Sequence, residues 1–240
     1  MSAYSDTVLA DLPATGSYWQ MTEAAGNLTD SGGGAHTLTA FNSPVYQQPG
    51  PLAGSANYAV RFSNSAQTRF EGGTGIFEFL ATASFSLECW ANPLSAPSSG
   101  WFPFCKRNAT VDGWDWTGHS PGAHRWAANV ADTLTITAYP LSTWSYDVLT
   151  YDGSNLRLYR NGVLLNGPTA STQSIISTVA QFTVGDISGG GSALDGYLAQ
   201  PAVYPGVVLT PTQILTHWTI GSSGPTYNYP VRMRGALSHA

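Results

Sequence analysis

Charge is what this sequence has least of. Asp, Glu, Lys and Arg together make up 10% of its 240 residues, against about 25% in an average globular protein. A surface so poor in charge must be built from Ser, Thr, Asn, Gln, Gly and main chain. It gains little from salt bridges and repels other copies weakly, which suits packing against protein or hydrogen bonding to neutral ligands. Only nine residues are basic and the net charge is −5. There is no basic stripe, which argues against a nucleic-acid partner. No apolar run approaches the roughly 18 residues of a membrane helix. The opening stretch, Met1 to Asp11, has neither Lys nor Arg and no apolar core, so it does not read as a secretory signal.

Cysteine is nearly absent too. Cys89 and Cys105 are too few for a disulfide framework. They fall in expected strands on either side of a Pro/Ser-rich turn near Pro97, and two states stay open: buried thiols or one disulfide. Asn27-Leu28-Thr29 and Asn108-Ala109-Thr110 match the glycosylation pattern, but without a secretory route they are read as coincidence. His36, His119, His124, His217 and His239 show neither His-x-His nor HExxH spacing, so no zinc site is expected. Gly189-Gly190-Gly191 lacks the Lys and following helix of a phosphate loop.

What is present is short strands between Gly, Pro, Asn and Ser punctuation. Strands are expected at 58–62, 84–92, 101–106, 113–117, 124–130, 134–139, 145–151, 156–160, 181–184 and 196–204. Asp152-Gly153 and Asn161-Gly162 are turn dipeptides that make 144–165 a three-strand meander. This spacing means a sandwich or barrel. One short helix near 211–218 follows: Thr210 is its N-cap, Pro211 its first residue and Gln213 completes a capping box. Ile214, Leu215 and Trp218 give it an apolar face, and Gly221 is expected to end it. Residues 222–240 have no periodicity. The chain therefore divides into a domain over 1–221 and an extended arm over 222–240. The arm carries Tyr227, Tyr229, Val231 and Met233 beside Arg232 and Arg234, and these residues are expected to dock on another polypeptide.

Several segments, in order, carry a resemblance. They are 18–23 (YWQMTE), 30–34 (DSGGG), 48–52 (QPGPL), 59–62 (AVRF), 85–90 (FSLECW), 149–153 (LTYDG), 158–162 (LYRNG), 182–185 (FTVG) and 196–204 (GYLAQPAVY). Together they resemble the laminin-G-like, concanavalin A-like jelly-roll superfamily from about residue 4 to 221. The resemblance implies an all-β fold: a two-sheet antiparallel jelly-roll sandwich with one short C-terminal helix. Residues 4–19 also resemble the opening of jelly-roll domains in bacteriophage virion proteins.

The sequence departs from the family at the chemistry. Where members that bind a structural calcium have an acidic pair before the last strand, this chain has Ala199-Gln200. Glu23 and Asp30 remain, too few for an ion that takes six to eight oxygens, so no calcium or other cofactor is expected. Glycoside hydrolases of this fold carry Glu-x-Asp-x-Glu on one strand, and hydrolysis needs two carboxylates on the order of 5–10 Å apart. Here Glu88 stands alone, Glu71 and Glu78 flank a Gly-rich turn, and Asp112 and Asp115 fall on opposite faces of an extended chain. No catalysis is expected.

Half of the eight tryptophans lie in 101–126. Trp114 and Trp116 are two apart and share one strand face. They either pack in the core or form a platform on which a sugar stacks, with His119 beside them. The resemblance implies a non-enzymatic virion component, a capsid decoration or a head or tail fibre protein. It would be assembled in the host cytoplasm and displayed on the virion surface. Its partners would be other virion proteins, itself and host-surface glycans. The alternative is an extracellular carbohydrate-binding adhesion module.

Overall fold

The computed structural model describes residues 2–53, 57–95, 100–107, 112–119, 123–128, 131–135, 140–171 and 174–223, with side chains throughout except at 119, 123–128 and 131–135. The chain opens with helix α1 (Ala3–Asp11). Strands β1 (Ser17–Tyr18), β2 (Thr39–Phe41), β3 (Val45–Pro49), β4 (Tyr58–Phe62), β5 (Arg69–Glu71) and β6 (Phe85–Pro93) follow. Next come β7 (Trp101–Arg107), β8 (Gly113–His119), β9 (Ala123–Ala128), β10 (Ala131–Thr135), β11 (Ser145–Tyr151), β12 (Asn155–Arg160) and β13 (Val163–Ala170). The chain then adds β14 (Thr183–Val184), β15 (Gly196–Pro205) and helix α2 (Pro211–Ser223).

The strands form two antiparallel sheets. The first has the order β13-β12-β11-β6-β15-β4-β3, with β1 added on β15; the second runs β10-β9-β8-β7-β14-β5-β2. This is the expected two-sheet sandwich. Strands at 58–62 and 145–151 lie where the sequence puts them, and the meander is β11-β12-β13.

β6 shows how alternation builds the layers. Phe85, Leu87, Cys89 and Ala91 face the other sheet and join its Phe70, Phe104 and Val184. Trp90 points the opposite way, into a second apolar layer with Tyr4, Val8, Tyr146, Tyr204 and Ile214. That second layer is where the two helices lie, across the outer face of the first sheet.

α1 was not expected. Ser2 caps it, its hydroxyl accepting from the Ser5 N–H at 3.2 Å. Only Tyr4, Ser5 and Val8 are buried along it, a stripe too thin to show as periodicity. α2 has the expected cap: Gln213 Oε1 accepts from the Thr210 N–H at 2.9 Å, and Thr210 Oγ1 accepts from the Gln213 N–H at 3.3 Å.

The expected end of α2 is corrected. The helix runs through Gly221 to Ser223. A Cβ at Gly221 would stand 2.5 Å from Trp90 Cζ2 and 3.0 Å from Tyr4 Cδ2. Glycine is there so that helix and sheet can touch, not to stop the helix. Gly221→Ala gains about 1 kcal/mol of helix propensity but overpacks a closed layer, which costs about 1–3 kcal/mol. A net loss is expected in denaturant unfolding; a gain would show that this layer can yield.

The two cysteines are free thiols. Cys89 faces the inter-sheet core. Cys105 alternates with the core residue Phe104 and so faces away from it on the other sheet. Burial pushes both thiols up, Cys105 to about 12, which makes them inert at neutral pH.

Candidate functional site

Of the two readings open for Trp114 and Trp116, core packing or a sugar platform, the register of the second sheet decides for the core. Trp116 pairs with Phe104, Phe104 with Val184 and Val184 with Phe70. Residues opposite one another across strands share a face, and this row faces the other sheet. Trp114 and Trp116 are 0% and 1% exposed, so neither ring can meet a sugar. His119 ends β8, and its side chain lies outside the described residues. So do arm residues 224–240, with Tyr227, Tyr229, Val231, Arg232, Met233 and Arg234 among them.

The carboxylates are engaged elsewhere. Glu88 is buried under both helices, accepting from Tyr146 Oη at 2.6 Å and facing His217 Nδ1 at 2.9 Å; His217 Nε2 meets Asp11 at 3.1 Å. On the outer face of the second sheet, Glu71, Thr183, Cys105 and Asp115 form one row across β5, β14, β7 and β8. Glu71 pairs with Arg69 at 2.5 Å and Asp115 with Arg107 at 2.7 Å. Three strand spacings, about 14 Å, separate these two acids, well beyond the 5–10 Å or so that glycoside hydrolysis uses.

The residues left from the family's calcium site do not fit a cation. Asp30 accepts from Ser17 Oγ at 2.6 Å and from the N–H groups of Tyr18, Gly32 and His36 at 2.9, 2.8 and 2.8 Å. Four converging donors leave it no free direction for a metal. Gln200, in the position of the family's acid, accepts from Tyr18 Oη and donates to the Gln20 carbonyl. Among the described residues no three His, Cys, Asp or Glu gather as metal ligands.

Among the described residues, a ligand-sized cleft of about 590 Å³ opens at one end of the sandwich, where the chain crosses from β5 to β6. Its walls are Ile76, Phe77, Phe79, Leu80, Ala83 and Pro205, and its polar groups are Thr15, His36, Glu78 and Ser84. Concave, mostly apolar sites with a few placed polar groups are how small ligands are held, and about 300–1,000 Å³ is their usual size.

The crossing segment is tightly held. Phe77, Phe79 and Ala81 are left-handed, with φ of 53°, 47° and 57°, a conformation that costs non-glycine residues about 1–3 kcal/mol each. The core offsets this. Trp114 Nε1–H donates to the Phe77 carbonyl at 2.8 Å. The Phe79 ring stacks on Phe85 at 4.4 Å and on Trp114 at 5.1 Å. Lys106, with no exposed surface, donates to the carbonyls of Thr74 and Ala180 and lies 3.6 Å from Glu78. Burial pulls the Lys106 pKa down, and Glu78 opposes that. On the opposite wall His36 meets Phe77 edge to face at 5.0 Å, and its Nδ1 is 2.9 Å from Ser17 Oγ. Trp114, a candidate for ligand contact or for the core, packs in the core and backs the cleft wall. No sequence motif announces the cleft: its residues come from four separated segments.

Solved structures share this architecture at low identity. Domain 4 of an extracellular arabinanase from Geobacillus stearothermophilus, in complex with arabinotriose, superposes with a TM-score of 0.60 at 18% identity, over 84% of this chain and 96% of that one. Trypanosoma rangeli sialidase matches with a TM-score of 0.61 at 13% identity, over 85% of this chain, which spans only 32% of the enzyme. The receptor binding domain of botulinum neurotoxin mosaic serotype C/D gives 0.64 at 11% identity, over 85% and 51%. At these identities the likeness concerns the fold alone. No curated protein matches the chain by sequence. A family model of laminin-G type matches residues 54–215, well over half of the chain and within the span of the resemblance read from its motifs. The chain therefore belongs to the concanavalin A-like lectin/glucanases superfamily.

Proposed function

We propose that the chain is a non-catalytic recognition module that holds a neutral carbohydrate in the cleft formed by residues 75–84, Thr15, His36 and Pro205. The observation that carries this reading is the cleft itself: ligand-sized, apolar on its walls, with His36 and Glu78 at its polar side. The similar arabinanase domain bound to arabinotriose supports it, as does the low charge, which suits a neutral ligand. Glu88 is buried beneath the helices, Glu71 and Asp115 are paired with arginine, and Glu78 is the one carboxylate among the cleft residues, short of the pair that glycoside hydrolysis uses, which favours binding over turnover. A glycan array probed with the purified chain should give signal for neutral glycans, and incubation with the same glycans should release no reducing sugar. Turnover would place the chain among the enzymes of its superfamily.

A second reading is favoured by the edge of the first sheet. β13 ends that sheet with Val163, Leu164 and Leu165 exposed by 66%, 44% and 40%. An apolar edge strand is a template for pairing with another chain. In this reading the chain is a virion structural accessory, a capsid decoration or fibre component. It packs on other virion proteins and on itself at the virion surface while presenting its cleft outward. Replacing Val163 and Leu165 by Lys should leave the melting temperature unchanged and abolish self-association in sedimentation. Association that persists removes β13 as the contact.

A further inference from the structure

We infer that the ligand of this cleft carries an acetamido group: a neutral N-acetylated sugar. The inference rests on the proposed carbohydrate reading and follows from which way the polar groups of the cleft point their protons.

Ser17 Oγ has one proton. It lies 2.6 Å from the Asp30 carboxylate, which can only accept. Toward His36 Nδ1, at 2.9 Å, the same oxygen must therefore act as acceptor, and Nδ1 carries the hydrogen. In the neutral ring this leaves Nε2 as a lone-pair acceptor. No hydrogen bond occupies Nε2 among the described residues. Glu78, the other strong polar group of the cleft, is an acceptor as a carboxylate. The cleft thus presents two acceptors, His36 Nε2 and Glu78, beside the hydroxyls of Thr15 and Ser84, and a wall of Ile76, Phe79, Leu80, Ala83 and Pro205.

Three ligand classes meet this arrangement differently. An acidic sugar brings its carboxylate against Glu78 and a lone pair, and is repelled. A plain neutral sugar satisfies both acceptors with hydroxyls, but sets further hydroxyls against the apolar wall, where they lose water without gaining a partner. An acetamido sugar presents an N–H donor and, a short fixed distance away, a methyl group. The N–H can meet Glu78 while the methyl covers the wall, and a ring hydroxyl meets His36 Nε2. The buried ammonium of Lys106, 3.6 Å from Glu78, positions that carboxylate and does not touch ligand.

Matched glycan pairs test this by calorimetry on the full chain. Tri-N-acetylchitotriose and cellotriose share a β-1,4 backbone and differ only by acetamido or hydroxyl at C2; N-acetyllactosamine and lactose form a second pair, and trigalacturonic acid, which has carboxylates and no acetamido group, is the acidic control. The acetylated member of at least one pair should bind about tenfold or more tighter than its partner. Glu78→Gln, which removes the negative charge facing the amide, should shrink that ratio several-fold. Circular-dichroism melts confirm that the variant is folded. Equal binding within both pairs, or tighter binding of trigalacturonic acid, overturns the acetamido inference and leaves the carbohydrate reading standing. No binding of any glycan on the array or in these titrations overturns the carbohydrate reading, and the inference with it.

Discussion

Glu88→Leu is expected to lower the unfolding free energy by about 3–5 kcal/mol and the melting temperature by roughly 6–20 °C, at about 2–4 °C per kcal/mol for a chain of this size. The carboxylate is the one acceptor shared by Tyr4 Oη at 3.4 Å, Tyr146 Oη at 2.6 Å and His217 Nδ1 at 2.9 Å, and all four side chains are buried. Leucine fills the volume and strands three polar groups where no water reaches them. These groups come from α1, β11 and α2, so the loss loosens both helices from the sheet.

The effect has a pH signature. Burial alone would depress the His217 pKa, but Glu88, and Asp11 on the other ring nitrogen, more than offset that and hold it above its ordinary value. A group raised in the folded state stabilises fully below its unfolded pKa, about 6.5 for His, and the contribution fades as pH rises through the folded value. The gap between wild type and Glu88→Leu should thus be widest near pH 5.5 and narrower at pH 8–9. A gap independent of pH would mean that His217 is neutral throughout. The variant also tests catalysis, since an acid sealed beneath two helices cannot reach a substrate.

Trp114→Ala is expected to cost about 3–5 kcal/mol as well, with no ligand present. The ring is fully buried, stacks on Phe79 and supplies the only hydrogen bond recorded for the Phe77 carbonyl among the described residues. Its removal should also weaken glycan binding, because the strained turn at Phe77 and Phe79 loses its support. Trp114→Phe keeps most of the stacking, loses the N–H donor and should fall between. Unchanged stability with lost binding would return the ring to the surface and contradict the register of β8.

The sandwich was legible in the sequence because its long strands carry two independent marks. In β6, Phe85 and Leu87 alternate with Glu88 and Trp90, the period of an extended strand, and the structure puts Phe85 and Leu87 in the inter-sheet core and Trp90 in the layer beneath the helices. β4 and β11 are bracketed by turn residues. β2 and β5 have three residues each, too few for any period, and β3 carries two glutamines and a proline. Trp114 and Trp116 show the limit of alternation: spacing by two puts them on one face and cannot say which. The cleft was invisible for a different reason. Its turn is left-handed at two phenylalanines and an alanine rather than at glycines, and its polar relay joins Ser17, Asp30 and His36, which lie up to 19 residues apart and meet only on folding. Gly221 misled because a glycine after a helical stripe reads as a stop unless the close approach of Trp90 and Tyr4 is known.

Ala83→Trp tests the central claim most directly. Ala83 is exposed on the cleft wall, so an indole there fills the cleft while the core stays as it is. Calorimetric titration of wild type and Ala83→Trp with the best-bound neutral glycan, at equal melting temperatures, should show binding by the first and none by the second. Equal affinity in the two proteins would mean that the sugar binds elsewhere on the sandwich, and the cleft would lose its assignment.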